Sequence, residues 1–130
     1  MKTRIMVIDD EPHFTFMLKK FLELNGHYNV REVNDSSTAM NAAREFAPDI
    51  ILLDIMMPDP DGSEVAAALR NDPQTRDVPI LYLTALVSQA EACDARFGLD
   101  RQHYLPKPVN FVDLIRHIED TCFSGERSIS

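Results

Sequence analysis

The chain has 130 residues, of which 45% are hydrophobic and 26% are charged, and its formal net charge is −8 at pH 7. The length and composition are typical of one globular domain with a buried core, and they exclude a disordered segment. The excess of acidic side chains argues against a direct nucleic-acid surface, because phosphate backbones are bound by Lys and Arg.

The first strand and helix are predicted at residues 5–8 and 12–25. Residues 5–8 form a continuous apolar run, which is too short for a helix and suits a strand covered on both faces. The helix begins at a proline and ends at an Asn-Gly pair, both favoured in those positions. Phe16 falls about 200° from Phe14 on this helix, so it is either a partner surface or an exposed residue without a role. The predicted inner face consists of Phe14, Met17, Leu18 and Phe21.

Two further strand and helix pairs follow in the first half of the chain. Residues 28–33 predict the second strand, and a helix capped by Asp-Ser covers residues 35–46. Residues 50–53 are a second fully apolar run, which ends abruptly at Asp54. A loop rich in Pro and Asp then leads to a predicted helix at residues 63–70.

The last two pairs complete the pattern. Residues 80–83 predict a strand that ends at Thr84, and residues 88–97 predict a helix closed by glycine. A short strand is expected at residues 103–105, and Asn110 is placed to cap the last helix. The inner face of that helix is predicted to contain Phe111, Leu114, Ile115 and Ile118.

The order of elements is therefore a strand followed by a helix, repeated five times. Such alternation with apolar strands predicts a parallel sheet with helices on both sides, joined by right-handed crossovers. The length and strand count favour a flavodoxin-like α/β three-layer sandwich with strand order 2-1-3-4-5. We expect one domain at residues 1–123, with residues 124–130 as a polar tail or the start of a linker.

The compartment is predicted from what the sequence lacks. Cys93 and Cys122 form no metal-ligand spacing and indicate free thiols in a reducing environment. No apolar run approaches the ~18–20 residues needed to span a bilayer. The N-terminus lacks the apolar region and cleavage site of a signal peptide. We therefore expect a cytoplasmic protein without membrane contact.

Polar side chains follow four of the five predicted strands. They are Asp9 and Asp10 after the first strand, Asp54 after the third, Thr84 after the fourth and Lys107 after the fifth. Ligand sites in such sheets form at the carboxyl ends of the strands, so we expect these five side chains to line one cleft.

Three carboxylates in one cleft require proton uptake or a cation to relieve their repulsion. Oxygen ligands without His or Cys favour Mg²⁺, with Mn²⁺ as a further candidate. Lys107 can pair with a carboxylate or with a phosphoryl oxygen, and the Thr84 hydroxyl can donate to the same oxygen. A carboxylate nucleophile with a metal and a lysine suits the transfer of a phosphoryl group onto aspartate.

These residues resemble the receiver domain of two-component response regulators over about residues 4–121. Each short motif is weak alone, but their order and spacing together are specific. The matching motifs are Ile8-Asp9-Asp10-Glu11-Pro12, Leu52-Leu53-Asp54-Ile55-Met56-Met57-Pro58, Asp61-Gly62, Leu83-Thr84-Ala85 and Tyr104-Leu105-Pro106-Lys107-Pro108.

The resemblance implies roles at the acidic end of the sheet. Asp54 corresponds to the phosphoacceptor, and Asp10 and Asp54 correspond to direct metal ligands. Asp9 would act on the metal mainly through water, and the backbone carbonyl of Met56 would be a third ligand. The family's phosphoryl donor is a phosphohistidine on a sensor histidine kinase or a histidine phosphotransfer protein.

The resemblance also implies a conformational switch. Thr84 and Tyr104 correspond to the switch pair, although a strand tyrosine is also common as a half-buried core residue. Lys107-Pro108 corresponds to a bond that is usually cis in the family. Phosphorylation would change the surface formed by the fourth helix, the fifth strand and the fifth helix. That surface would regulate an unidentified partner protein, or form a homodimer.

The same residues allow other interpretations. Asp9 and Asp10 could simply cap the first helix. For His13, a solvated histidine at the start of the helix is favoured over a metal ligand. A phosphohydrolase of the haloacid-dehalogenase type would need an Asp two residues after the nucleophile, where this chain has Met56. A third alternative is an unphosphorylated binding module of the same fold. The resemblance also implies that Met56 and Leu86 lie beside the phosphoryl group. Because neither side chain can orient a water, we expect slow self-dephosphorylation.

Overall fold

The computed structural model describes residues 2–57, 61–84, 104–106 and 109–129, with only the backbone at Thr84, Tyr104, Pro106 and residues 123–129. Within these residues the sheet has five parallel strands in the order β2-β1-β3-β4-β5. They are β1 (Thr3–Ile8), β2 (Tyr28–Val33), β3 (Ile50–Asp54), β4 (Ile80–Thr84) and β5 (Tyr104–Pro106). The predicted flavodoxin-like α/β fold is confirmed.

Four helices are described around this sheet. They are α1 (Pro12–Leu24), α2 (Ala39–Phe46), α3 (Gly62–Asn71) and α4 (Phe111–Ile129), the last being the fifth helix of the sequence prediction. The Asp61 carboxylate caps α3 by accepting the Glu64 N–H at 3.0 Å. Asn110 caps α4 as predicted, because its Oδ1 accepts the N–H groups of Val112 and Asp113.

The two faces of the sheet carry separate hydrophobic clusters, because successive strand residues point to opposite sides. One cluster joins Met6 and Leu53 to the buried faces of α2 and α3. The other joins Val7 and Leu52 to α1 and α4. Leu114 and Ile118 are fully buried in that second cluster, as predicted, with Phe111 and Ile115 packed at its margin. These two clusters make the fold a three-layer sandwich.

The prediction is wrong for one residue that was expected on the inner face of α1. Met17 is 45% exposed, whereas Leu18, Leu22 and Thr15 are fully buried. The inner face is therefore rotated away from Met17, and the Thr15 hydroxyl is tolerated inside because it is hydrogen-bonded. Phe16 is exposed, as predicted.

The element boundaries differ most from the sequence prediction at the second and the last helix. The second helix is preceded by a separate 3₁₀ turn, Ser36–Thr38, in which Asp35 accepts the Ser37 N–H. The α4 helix runs to Ile129, so the segment predicted as a tail or linker is helical to that residue, and the domain boundary stays a prediction. The predicted helix at residues 88–97 lies outside the described residues. In the part of the chain that is described, no helix is long and apolar enough to cross a bilayer.

Candidate metal centre

Asp9 is the first residue after β1, and its N–H, its carbonyl and its carboxylate are all hydrogen-bonded. Its N–H donates to the carbonyl of Val33 at 3.0 Å, which extends the pairing of β1 with β2. Its carbonyl accepts from Asn34 Nδ2 at 2.9 Å, and its carboxylate Oδ1 accepts the Glu11 N–H at 3.0 Å. Asp9 is completely buried, while the neighbouring Asp10 is exposed. Asp9 is therefore fixed by backbone geometry rather than by side-chain packing alone.

Asp54 is the last residue of β3 and is only 3% exposed. Its Oδ1 accepts the Met56 N–H at 3.0 Å, which fixes the rotation of the carboxylate. The start of α3 lies against the end of β3, because the Gly62 N–H donates to the Ile55 carbonyl at 3.1 Å. A Cβ at Gly62 would lie 2.4 Å from the Asp54 carbonyl oxygen, so only glycine fits this close approach.

The three carboxylates converge as the sequence predicted. One oxygen from each of Asp9, Asp10 and Asp54 lies within 4.8 Å of the others. Like charges at this separation repel, and an all-oxygen donor set suits a hard divalent cation that keeps some of its water. The residues present therefore fit Mg²⁺ or Mn²⁺. His13 is not part of this cluster among the residues that the structure describes.

The other predicted site residues are only partly described. Thr84 ends β4, next to the strand that carries Asp54, but its side chain lies outside the described residues, as does that of Tyr104. Lys107 and Pro108 also lie outside them. Met56 is exposed and donates its N–H to Asp54; the metal role of its carbonyl stays a prediction.

Phe16 lies on α1 and is 54% exposed. The Lys20 ammonium lies 5.3 Å from the centroid of its ring, a cation–π distance. The exposure agrees with both predicted alternatives, and a partner role of Phe16 stays a prediction.

Sequence reasoning missed the residue that follows β2. Asn34 donates to the Asp9 carbonyl and to the Thr15 hydroxyl, each at 2.9 Å. The available signal was its position, since it is the polar residue directly after a strand, like Asp9 and Asp54. The second strand is the one strand of the predicted sheet after which no site residue was expected.

Comparisons with known proteins agree with this arrangement. The family model described as the response regulator receiver domain matches residues 5–119. The DNA-binding dual master transcriptional regulator RpaA of Synechocystis sp. is 35% identical over 115 residues, which are 88% of this chain and 47% of RpaA. The response regulator PleD of Caulobacter vibrioides is 36% identical over 120 residues, 91% of this chain and 26% of PleD. The chain thus spans half or less of these relatives.

A solved structure extends the similarity to the whole fold. The chemotaxis response regulator CheY4 of Vibrio cholerae superposes with a TM-score of 0.81 at 25% identity. The alignment covers 93% of this chain and 99% of CheY4.

Proposed function

Because the chain belongs to the response regulator receiver domain family, we propose that it is a phosphorylation-dependent signalling switch whose phosphoacceptor is Asp54. The observation that carries the proposal is the convergence of Asp54 with Asp9 and Asp10 at the carboxyl end of the sheet. A cation that offsets the repulsion among the three carboxylates allows the buried Asp54 carboxylate to act as a nucleophile.

The residues proposed to hold the cation are Asp9, Asp10, Asp54 and the Met56 carbonyl. A bound Mg²⁺ or Mn²⁺ supplies positive charge against the phosphoryl oxygens. A carboxylate oxygen of Asp54 attacks the phosphorus of a phosphohistidine. The bond from phosphorus to the imidazole nitrogen breaks, its electron pair stays on the imidazole, and an aspartyl phosphate results.

The chain's own groups support this step in two ways. The Met56 N–H holds the Asp54 carboxylate in one rotation, which lowers the cost of orienting the nucleophile. The burial of Asp54 and Asp9 limits the contact of their carboxylates with bulk water. Lys107 and the Thr84 hydroxyl are proposed to contact the phosphoryl oxygens, and Tyr104 is proposed to move with Thr84.

The phosphoryl donor is proposed to be a sensor histidine kinase or a histidine phosphotransfer protein in the cytoplasm. Phosphorylation adds about −1.5 to −2 charge, so the packing around Thr84 must change to satisfy the new oxygens. The surface of the predicted fourth helix, β5 and α4 would carry that change to a partner protein or to a second copy of the chain. Phe16 is a further candidate for partner contact. Output through another part of a longer protein is equally compatible with relatives such as RpaA.

The test is incubation with Mg²⁺ and acetyl phosphate, followed by intact mass measurement. We expect the wild type to gain the mass of one phosphoryl group, and Asp54→Asn to gain none. Asp77→Asn, which changes an exposed aspartate outside the cluster, should be modified like the wild type. Modification of Asp54→Asn at the wild-type level would refute the assignment.

Decay of the phosphorylated chain provides a second measurement. Met56 cannot orient an attacking water, so we expect a half-life of minutes or longer after the donor is removed. A half-life of seconds would contradict this expectation. Steady hydrolysis of a simple phosphomonoester would instead favour the phosphohydrolase alternative.

A further inference from the structure

A chain of hydrogen bonds lies behind the carboxylate cluster. Asn34 Nδ2 lies 2.9 Å from the Asp9 carbonyl oxygen and 2.9 Å from Thr15 Oγ1. Because a carbonyl oxygen can only accept, the Asn34 amide must present its NH₂ group here, and that group has two hydrogens for two acceptors. Thr15 Oγ1 in turn lies 2.7 Å from Glu32 Oε1 and 3.1 Å from the Pro12 carbonyl.

The number of protons available decides which group donates in each of these hydrogen bonds. Thr15 has one hydroxyl proton, and its contact to the Glu32 carboxylate is short enough for a charge-assisted bond. The hydroxyl therefore donates toward Glu32 and accepts from Asn34, and each bond polarises the next. Thr15 is completely buried, so loss of its hydroxyl would leave the Asn34 donor without this acceptor.

These hydrogen bonds lead to the peptide group that joins Asp9 to Asp10. Both backbone polar groups of Asp9 are tied to the end of β2, the N–H to Val33 and the carbonyl to Asn34. Since the carbonyl lies in the plane of the peptide that leads to Asp10, the Asn34 contact sets the direction in which the chain leaves Asp9. Asp10 is exposed, so side-chain packing contributes little to its position.

We infer that Asn34, Thr15 and Glu32 are positioning residues that orient the peptide between Asp9 and Asp10, so that the three carboxylates converge on a divalent cation. The inference rests on the proposed function. Groups that hydrogen-bond behind metal ligands commonly change metal affinity about 10–100-fold when removed. A merely structural role would lower the unfolding temperature and leave metal affinity unchanged.

The experiment measures Mn²⁺ affinity of the full chain from the electron paramagnetic resonance signal of free Mn²⁺. We expect Asn34→Ala and Thr15→Val to weaken binding by about tenfold, and Thr15→Ser to bind like the wild type because it keeps the hydroxyl. Asn41→Ala is the matched control, since Asn41 is an exposed asparagine on α2 and is not among the residues that these hydrogen bonds join. It should also bind like the wild type.

Thermal unfolding of the metal-free proteins separates folding from positioning. Asn34 is exposed, so Asn34→Ala should remain folded even if Thr15→Val does not. Wild-type affinity within about twofold in Asn34→Ala would overturn the inference while leaving the proposed function intact. Failure of the wild type itself to bind Mn²⁺ would instead refute the metal site on which the proposed function depends.

Discussion

Two buried aspartates lie at opposite ends of the sheet and have opposite surroundings. Asp54, at the carboxyl end, faces the carboxylates of Asp9 and Asp10. Asp72 follows α3 at the amino end of β4 and is 9% exposed. The Arg44 guanidinium contacts Asp72 Oδ2 through Nη2 and, at 2.8 Å, through Nε.

The difference shows how one residue type serves stability at one end and chemistry at the other. The Gln74 N–H and the Arg44 side chain hold the pKa of Asp72 below its ordinary value, so its ionised form stabilises the fold. At the acidic end, like charges are concentrated, which opposes folding until a cation binds. Local conflicts of this kind are expected at functional sites.

The largest effect is expected from Gly62→Ala, which tests how rigidly the acidic end is built. The added methyl group would overlap the backbone of Asp54 and Ile55, each with an atom 2.4 Å from the new Cβ. We expect the free energy of unfolding to fall by about 3 kcal/mol, and phosphorylation of Asp54 to be lost. Urea unfolding and intact mass after acetyl phosphate treatment measure the two effects.

The control for Gly62→Ala is Gly26→Ala, where the new methyl group would meet nothing within 4 Å but the backbone has φ of +85°. This change should cost about 1 kcal/mol through backbone strain and leave phosphorylation intact. If Gly62→Ala is phosphorylated at the wild-type rate, the acidic end is more adaptable than its packing indicates.

The elements that the sequence predicted best are those with local signals. The apolar runs at residues 5–8 and 50–53 are too short for helices and suit buried strands, and they lie inside β1 and β3. The rule that ligand sites form at strand ends then grouped Asp9, Asp10 and Asp54, which the structure brings together.

The features that escaped prediction depend on contacts between distant parts of the chain. Thr15 was not placed in the core, because its burial depends on Glu32, which lies 17 residues away. Asn34 contacts Asp9 across 25 residues, and no periodic pattern encodes that bond. Met17 was misplaced because spacing alone cannot fix which of two adjacent apolar stripes of α1 faces the sheet.

The second-largest effect is expected at Asp72, the aspartate at the amino end of the sheet that pairs with Arg44. Asp72→Asn removes the charge partner of Arg44 and should lower the unfolding temperature by several degrees at pH 7. Because the pKa of Asp72 is lowered in the folded state, its contribution is present above its ordinary value of 3.8 and is lost as pH falls through the folded pKa. The gap between wild type and variant should therefore close below that pH. A gap that stays constant from pH 7 to pH 3 would show that the charge is not responsible.

The smallest effect is a stabilisation, and it is expected at the cluster of Asp9, Asp10 and Asp54. With metal removed by EDTA, Asp10→Asn should raise the free energy of unfolding by about 1 kcal/mol, because one of three converging charges is lost. Mg²⁺ should stabilise the wild type more than the variant, since the variant lacks one ligand charge. Asp77→Asn, outside the cluster, should change stability by less than about 0.5 kcal/mol in either condition. Destabilisation of Asp10→Asn in EDTA would mean that Asp10 supports the fold as Asp72 does, and the contrast between the two ends would not hold.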